Sequence, residues 1–540
     1  MCIRDIMYPG NTSLAIEPNG KITLKQYSSK KESKRIKELE EKIFKLIPER
    51  NILEVLCNTH HWVSWTRHFS HISGSDNKLD NAIEKYLLTS FTYGCNLGPI
   101  QASKHLSGII SADTLSYLNR RHVTSEKLDS ALRDIINKYK QLELPTFWGT
   151  GKHAAADGTM VEMFRNNIVS EYHIRYGKNG GIMFHLLSDT YIALMGTFIP
   201  CGTWEAVHLL DLFIQNKSEI QPDTIHGDTQ QQSGTVFALS HLLGIDLMPR
   251  IRNWKDLTFF RPSKNTKYKH IDTLFKDTVD WNLIETHWKD IFQVVISIKE
   301  GKILPSTLLK RLNNQSRKNR LFFAFRELGM VIRTIFLLRY IIDMDVRQKI
   351  TNETNKVEAY NGFIDKIRFG DYGIITSNDP IEQEKRVKYS ELVANAIILQ
   401  NAVDITDAIN KLIKDGYKIS KSDIEALSPY ILRNLKRFGD YFINVNSAPE
   451  PFLYEMFVSC KNNYVKRLFL HVCSLYPNIV YLLKLKEQDV ILLDRCITCY
   501  RQQIFNIKSD NKGVTEEENL KKIQDYLHEL FFDKYKEQLP

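Results

Sequence analysis

Residues 152–158 read Lys152-His153-Ala154-Ala155-Ala156-Asp157-Gly158. A short apolar run closing on an aspartate and a glycine is the pattern of a buried strand that delivers a carboxylate at its end. A strand is therefore expected here, ending at Asp157. The three alanines leave room beside the carboxylate, and Gly158 permits a tight backbone. The segments that follow are β-branched and aromatic. Residues 173–176, 182–188 and 190–199 read as strands, with Gly180-Gly181 as a hairpin turn signal. Residues 203–215 return to helical periodicity, with Thr203 placed to cap. Residues 224–226 are short buried strand material ending at Gly227-Asp228, followed by a helix over 233–243 and a strand over 247–251.

Strands first, then helix, strand, helix and strand suit an α+β domain with a mixed, RNase H-like sheet flanked by helices. This expected domain covers 146–378 and carries a mostly helical insertion at about 255–347. Residues 1–145 precede it as a helical region, with a charge-rich helix at 30–45 and a bundle from 47 to 144. In that bundle Ser111 or Asp113 could cap a helix beginning at Thr114. Residues 379–450 read as a second helical region. Residues 451–540 form a tail of different character, with Cys460, Cys473, Cys496 and Cys499 and a charged helix at 515–537. One close cysteine pair, Cys496 and Cys499, is short of the two pairs a four-cysteine zinc site uses, so these read as incidental thiols.

The composition is that of a globular chain: 540 residues, 43% hydrophobic and 25% charged, with a net charge of +10. That mild basic bias accommodates a nucleic-acid partner without requiring one. Eight scattered cysteines suggest reduced thiols and a cytoplasmic protein. Residues 1–21 lack the apolar core of a secretory signal. The apolar segment 328–343 is interrupted by Arg333, Arg339 and Asp343, so it is expected as a buried core helix and no membrane association is expected.

A third carboxylate stands in Asn355-Lys356-Val357-Glu358-Ala359-Tyr360-Asn361. Two aspartates on strands and a distant glutamate on a helix form the DDE pattern of metal-dependent phosphoryl transfer. Such chemistry needs hard cations held by carboxylate oxygens, one activating the attacking hydroxyl and one stabilising the leaving oxygen. Asp157 is expected to bridge, Asp228 to flank it, and Glu358 to complete the second site, with Mg²⁺ as the cation and Mn²⁺ as its substitute. Strand alternation puts His226 on the face of Asp228, and Glu358 shares a helix face with Asn361. His226, Asn355 and Asn361 are the expected supporting residues, and His153 could join them. Arg250, Arg252, Lys264 and Lys267, interleaved with Phe259, Phe260 and Tyr268, suit backbone contact and base stacking on DNA. Arg311 and Arg317, with Lys318 and Arg320, form a second basic cluster, and Lys356 joins the expected DNA contacts.

At these residues the chain resembles the Tn-three family of transposases, which move class II elements replicatively. Trp148-Gly149-Thr150 with Ala156-Asp157-Gly158 looks like that family's first catalytic motif. His226-Gly227-Asp228-Thr229, continuing to Pro249-Arg250-Ile251-Arg252, looks like its second, and Asn355-Lys356-Val357-Glu358-Ala359 like its third. Trp62-Val63-Ser64-Trp65-Thr66, Asn96-Leu97-Gly98 and Arg437-Phe438-Gly439-Asp440-Tyr441 also fit, so the likeness covers roughly residues 20–450. The resemblance implies a catalytic half acting on terminal inverted repeats and target DNA. Water would nick the 3′ end and the freed 3′-hydroxyl would attack the target, in a homodimer on DNA in the bacterial cytoplasm. The family's N-terminal half, which carries end recognition, is expected to be missing. The competing expectation is therefore a truncated or domesticated derivative that binds DNA without transposing.

Overall fold

The computed structural model describes residues 5–449, apart from 6, 26–33, 75–78, 107, 175–176, 253–256, 313–318, 440 and 442 and the side chains of 9, 230 and 312. The tail cysteines, the expected 515–537 helix, Arg317 and Lys318 lie outside the described residues.

After a short antiparallel pair, Leu14–Ile16 with Ile22–Leu24, come seven α-helices of the described chain: α1 (Lys34–Leu46), α2 (Ile52–Val63), α3 (Ala82–Gly94), α4 (Pro99–His105), α5 (Ala112–Arg121), α6 (Ser125–Lys140) and α7 (Leu144–Trp148). Their starts are chemically marked. Asn51 accepts from Glu54 N to cap α2, and Thr124 accepts from Lys127 N to cap α6. Ser111 caps α5 by accepting from Thr114 N, so that helix begins at Ala112, two residues before the expected start.

The central sheet follows. Its strands are β1 (His153–Glu162), β2 (Lys178–Ser188), β3 (Ala193–Pro200), β4 (Thr224–Gly227) and β5 (Asp246–Pro249), in the order β3-β2-β1-β4-β5. β2 is antiparallel to β1 and β3, whereas β4 and β5 run parallel to β1. A sixth, short strand, Glu171–His173, also pairs with β2. Between them lie α8 (Leu209–Gln215) and α9 (Gly234–Leu242). Thr203 does not cap α8, which starts after His208.

Two strand expectations are corrected. β1 does not end at Asp157 but runs on to Glu162, because its antiparallel ladder with β2 continues to Glu162↔Gly180 after its parallel ladder with β4 stops at Ala156↔Gly227. Asp157 is thus the first residue of β1 beyond its parallel neighbour. Gly180-Gly181 is not a turn but lies inside β2. A Cβ at Gly180 would stand 2.0 Å from the Val161 carbonyl oxygen, and one at Gly181 would stand 2.1 Å from the Phe198 ring. These glycines admit close neighbours rather than a reversal.

The region after β5 is not purely helical. β6 (Phe259–Arg261) and β7 (Phe275–Thr278) form a parallel pair ahead of α10 (Trp281–Thr286), α11 (Trp288–Lys299), α12 (Pro305–Leu312) and α13 (Arg320–Ile342). α14 (Met344–Ile367) starts well before Asn355, capped by Asp343, whose carboxylate accepts from Asp345 N and Val346 N. Asn355 is therefore mid-helix. α15 (Pro380–Lys414) and α16 (Lys421–Glu425) follow, and Leu435–Lys436 pairs with Arg50–Asn51. Among the described residues α15 is the helix long and apolar enough to cross a membrane, and 94% of its apolar window is buried inside the protein. It is a core helix on which α2, α3, α6 and β3 pack. Residues 328–343, the expected core helix, fall almost wholly within α13.

Candidate active site

Alternation along β1 sends His153, Ala155, Asp157 and Thr159 to one face, and along β4 it sends Thr224, His226 and then Asp228 to the same face. β4 ends at Gly227, which pairs with Ala156, so Asp228 follows directly beside Asp157. The join is tight. A Cβ at Gly227 would stand 1.8 Å from Gln231 Oε1, and the Gly227 carbonyl accepts from Arg250 N at 2.8 Å. That backbone bond fixes where Arg250 and Arg252 leave the end of β5.

α14 packs on β1 and β4 and brings the third carboxylate. Asn361 is buried and donates through Nδ2 to Asp157 Oδ2 at 3.1 Å. One helical turn earlier Glu358 is half-exposed, with Arg250 Nη1 at 3.5 Å from its carboxylate. Arg252 Nη2 lies 3.5 Å from Asp228 Oδ1, which also accepts from the Thr229 hydroxyl at 3.0 Å. Asp157 and Asp228 thus lie at the end of β4, Glu358 reaches that end through Arg250, and two of the three acids have an arginine as counter-charge. Among the described residues no three acidic, histidine or cysteine side chains are drawn together into a ready metal cluster. The donors nonetheless suit a hard cation: three carboxylates at least partly open to solvent, plus an Asn361 Oδ1 that is buried without a protein partner.

The floor of this face is neutral. His153 and His226 stack at 5.2 Å between ring centroids, with Nδ1 of the first 3.0 Å from Nε2 of the second. Burial pushes His226 down to about 3, helped by His153 and Lys349, and burial likewise lowers His153. Both rings are uncharged near neutral pH, so one donates to the other. Across the β1–β2 ladder from Asp157 stands His185, fully buried, its Nδ1 2.6 Å from Glu391 Oε1 on α15.

Beneath the opposite side of α14 lies a charged cluster that the sequence reading did not single out. Asp189, fully buried after β2, accepts from Thr150 N at 3.0 Å and Gly151 N at 2.8 Å. Gly149 completes this wrap, since a Cβ there would stand 2.4 Å from Asp189 Cγ. Glu353, 2% exposed, pairs with Lys349 at 2.9 Å and Lys356 at 3.3 Å. The only signal in the sequence was the spacing of Lys349, Glu353 and Lys356 along one helix face.

The basic residues separate into different groups. Lys264, Lys267 and Arg311 are exposed, and Arg250 and Arg252 stand beside the acids. Phe259, Phe260 and Tyr268, expected among them as stacking surfaces, are instead buried. Tyr268 stacks on Phe275 at 4.7 Å, so these rings form the core under β6 and β7. Lys356, expected at DNA, is turned inward. Its ammonium donates to the carbonyls of Trp148 (3.1 Å) and Asp189 (2.6 Å) and to Glu353. Asn355 is exposed on α14.

Residues 54–441 match the family model described as the Tn3 transposase DDE domain. Among curated proteins, the transposase for transposon Tn501 of Pseudomonas aeruginosa is 29% identical over 401 residues, covering 73% of this chain and 40% of that protein. The transposase for transposon gamma-delta of Escherichia coli (strain K12) is 27% identical over 425 residues, covering 78% of this chain and 42% of that protein. The transposase for transposon Tn1546 of Enterococcus faecium is 24% identical over 405 residues, covering 74% and 41%. The chain therefore spans about two fifths of the length of these relatives. With the family model matched across most of its length, and with both strand-borne aspartates and the helix-borne glutamate inside the match, this chain belongs to the Tn3-family transposase DDE domains.

Proposed function

We propose that this chain is the catalytic portion of a DNA transposase, cutting and joining DNA with Mg²⁺ in an RNase H-like domain. The observation that carries the reading is the meeting of three elements. Asp157 on β1 and Asp228 after β4 lie side by side on one face, and α14 crosses that face with Asn361 bonded to Asp157 and Glu358 beyond it. The strand order β3-β2-β1-β4-β5 with β2 antiparallel supports the RNase H-like assignment.

Asp157, Asp228 and Glu358 would hold the cation, which when bound supplies charge stabilisation at the reacting phosphate. The protein's own contributions are positional. Asn361 orients Asp157 by holding one of its two carboxylate oxygens. The stacked, neutral His153–His226 pair adds no positive charge to compete for the acids. Arg250 and Arg252 place two cations at the mouth of the site, where a phosphodiester backbone would pass, and Lys264, Lys267 and Arg311 extend the positive surface. In the first step the phosphorus–oxygen bond to the 3′ oxygen breaks as water adds to phosphorus. In the second, the freed 3′-hydroxyl adds to a target phosphate and displaces its 3′ oxygen. We place both steps in a homodimer on DNA in the bacterial cytoplasm, acting on terminal inverted repeats and target DNA.

The test is nicking of a supercoiled plasmid by the whole chain in Mg²⁺ or Mn²⁺, against the Asp157→Ala, Asp228→Ala and Glu358→Ala variants. Nicking that requires the cation and all three acids supports the reading. Variants that nick as fast as the parent overturn it. Salt-sensitive DNA binding with no nicking in either metal would point to the non-transposing derivative instead.

A further inference from the structure

We propose that Lys356, seated on Asp189 and Glu353, is a positioning residue that sets the rotation and height of α14, and so the place of Glu358 over Asp157 and Asp228. This rests on the catalytic reading above and deepens it.

The geometry is that of a pin. An ammonium has three protons, and Lys356 spends them on three acceptors: the Trp148 carbonyl at 3.1 Å, the Asp189 carbonyl at 2.6 Å and Glu353 Oε1 at 3.3 Å. Its nitrogen also lies 4.9 Å from the centre of the Tyr191 ring. Burial lowers its pKa overall, an effect that the nearby Glu353 and Asp189 carboxylates offset only in part. Glu353 is on α14 itself, and the two carbonyl acceptors belong to different segments that adjoin the sheet. Trp148 leads through Gly149-Thr150-Gly151 directly into β1, the strand that carries Asp157. Asp189 sits in the turn that joins β2 to β3. The two pieces are themselves fastened together, since the Asp189 carboxylate accepts from Thr150 N and Gly151 N.

Lys356 and Glu358 are two positions apart, so they project from nearly opposite sides of the helix, about 200° apart at 3.6 residues per turn. Asn361 makes the second attachment, to Asp157 itself. One helix is thus pinned on one side to the entrance of β1 and on the other to its carboxylate. Neither sliding nor rolling is free, and Glu358 rides between the pins. The internal seat also explains why a lysine two residues from Glu358 is turned away from the site.

The test uses the whole chain and three variants: Lys356→Met, Lys356→Met combined with Glu353→Gln, and Lys356→Arg. The double variant removes one negative charge along with the positive one, leaving Lys349 opposite Asp189, so it restores the fold if charge imbalance alone unsettles it. Thermal unfolding, Mn²⁺ affinity by electron paramagnetic resonance of free Mn²⁺, duplex-DNA affinity and plasmid nicking are measured on each. The expected result is a double variant that unfolds near the parent's midpoint and binds DNA like the parent. Its Mn²⁺ affinity and kcat should nonetheless both fall by about 10–100-fold, the usual cost of losing a group that orients a metal ligand. Lys356→Arg, with the charge but the wrong reach, should recover stability and only part of the rate. A double variant with parental Mn²⁺ affinity and kcat overturns the assignment and leaves Lys356 a charge-balancing residue. Loss of DNA affinity with Mn²⁺ affinity intact overturns it in favour of a DNA contact. If the parent neither binds Mn²⁺ nor nicks, the catalytic reading fails and the pin falls with it, whereas a normal parent with an unimpaired double variant removes the pin alone.

Discussion

Asp189, in the turn after β2, and Asp157, on the neighbouring strand β1, could hardly be used more differently. Asp189 is fully buried, and its oxygens take backbone N–H groups from Thr150 and Gly151. Asp157 stands just past the end of β4, partly open, with the Asn361 amide on one oxygen, and Asp228 beside it is also partly open. A carboxylate saturated by fixed donors is a piece of scaffold, because it cannot turn to a new partner without leaving those N–H groups unpaired. A carboxylate that reaches solvent at a strand end can take up a cation. The same side chain therefore serves as rivet or ligand according to how many donors the backbone aims at it.

The sharpest way to break this contrast is to neutralise each acid in turn. Asp157→Asn should cut the metal-dependent nicking rate by at least about 10²-fold, the scale on which removing one electrostatic stabiliser acts. Its urea midpoint should hardly move. Asp189→Asn should do the reverse first: it leaves the largely buried Lys356, and Lys349 beside it, short of a counter-charge, at a cost of about 3–5 kcal/mol. Equilibrium urea unfolding of both proteins checks the pair, and equal loss of stability in the two would dissolve the distinction.

Acid should act on the neutral floor of the site through His226. His226 has its folded pKa depressed to about 3 from an ordinary 6.5, so the unfolded chain binds its proton first. The stability that this ring contributes is complete above pH 6.5 and drains away as the pH falls toward 3. His226→Gln should flatten that part of the stability–pH curve, measured by thermal unfolding across the window. A curve of unchanged slope would mean that the ring is not held neutral.

Smaller effects sharpen the comparison further. Gly149→Ala places a methyl group 2.4 Å from Asp189 Cγ and should cost about 1–3 kcal/mol by overpacking. Gly10, where an added methyl would meet nothing within 4 Å, should tolerate the same change. Arg252→Gln should leave folding untouched and lower the salt dependence of DNA binding by about one unit of slope. Fluorescence anisotropy across a salt series reads that change, and an unaltered slope would remove Arg252 from the DNA path.

Much of the sheet was legible because period-two patterns and short β-branched runs survive any tertiary context. The strand into Asp228 and the helix after it appear where the residues said they would, and the core helix expected at residues 328–343 is there but begins earlier, at Arg320. The misses share a cause. Gly158 and Gly180-Gly181 looked like punctuation, yet each sits within a paired strand, the latter two where Val161 and Phe198 approach too closely for any side chain. Local propensity cannot report a neighbour that comes from elsewhere in the chain. The first half of α14 is hard to read because residues 344–354 are mostly polar, and a helix that buries Arg347, Glu353 and Thr354 beside its apolar residues hides its period.

The basic residues show the same division. Counting charges found Arg250, Arg252, Lys264, Lys267, Arg311 and Lys356 alike, and only their surroundings separate the exposed ones from the one turned inward. By itself, the order of residues determined which groups were available: two aspartates on short strands, a glutamate on a helix, and a surplus of cations. It did so because side-chain type and backbone periodicity are local properties. Tertiary structure decided which of these groups meet, which stay open and which are consumed inside. Burial, partner donors and the space left for a Cβ are set by distant segments, so no stretch of the sequence carries them alone.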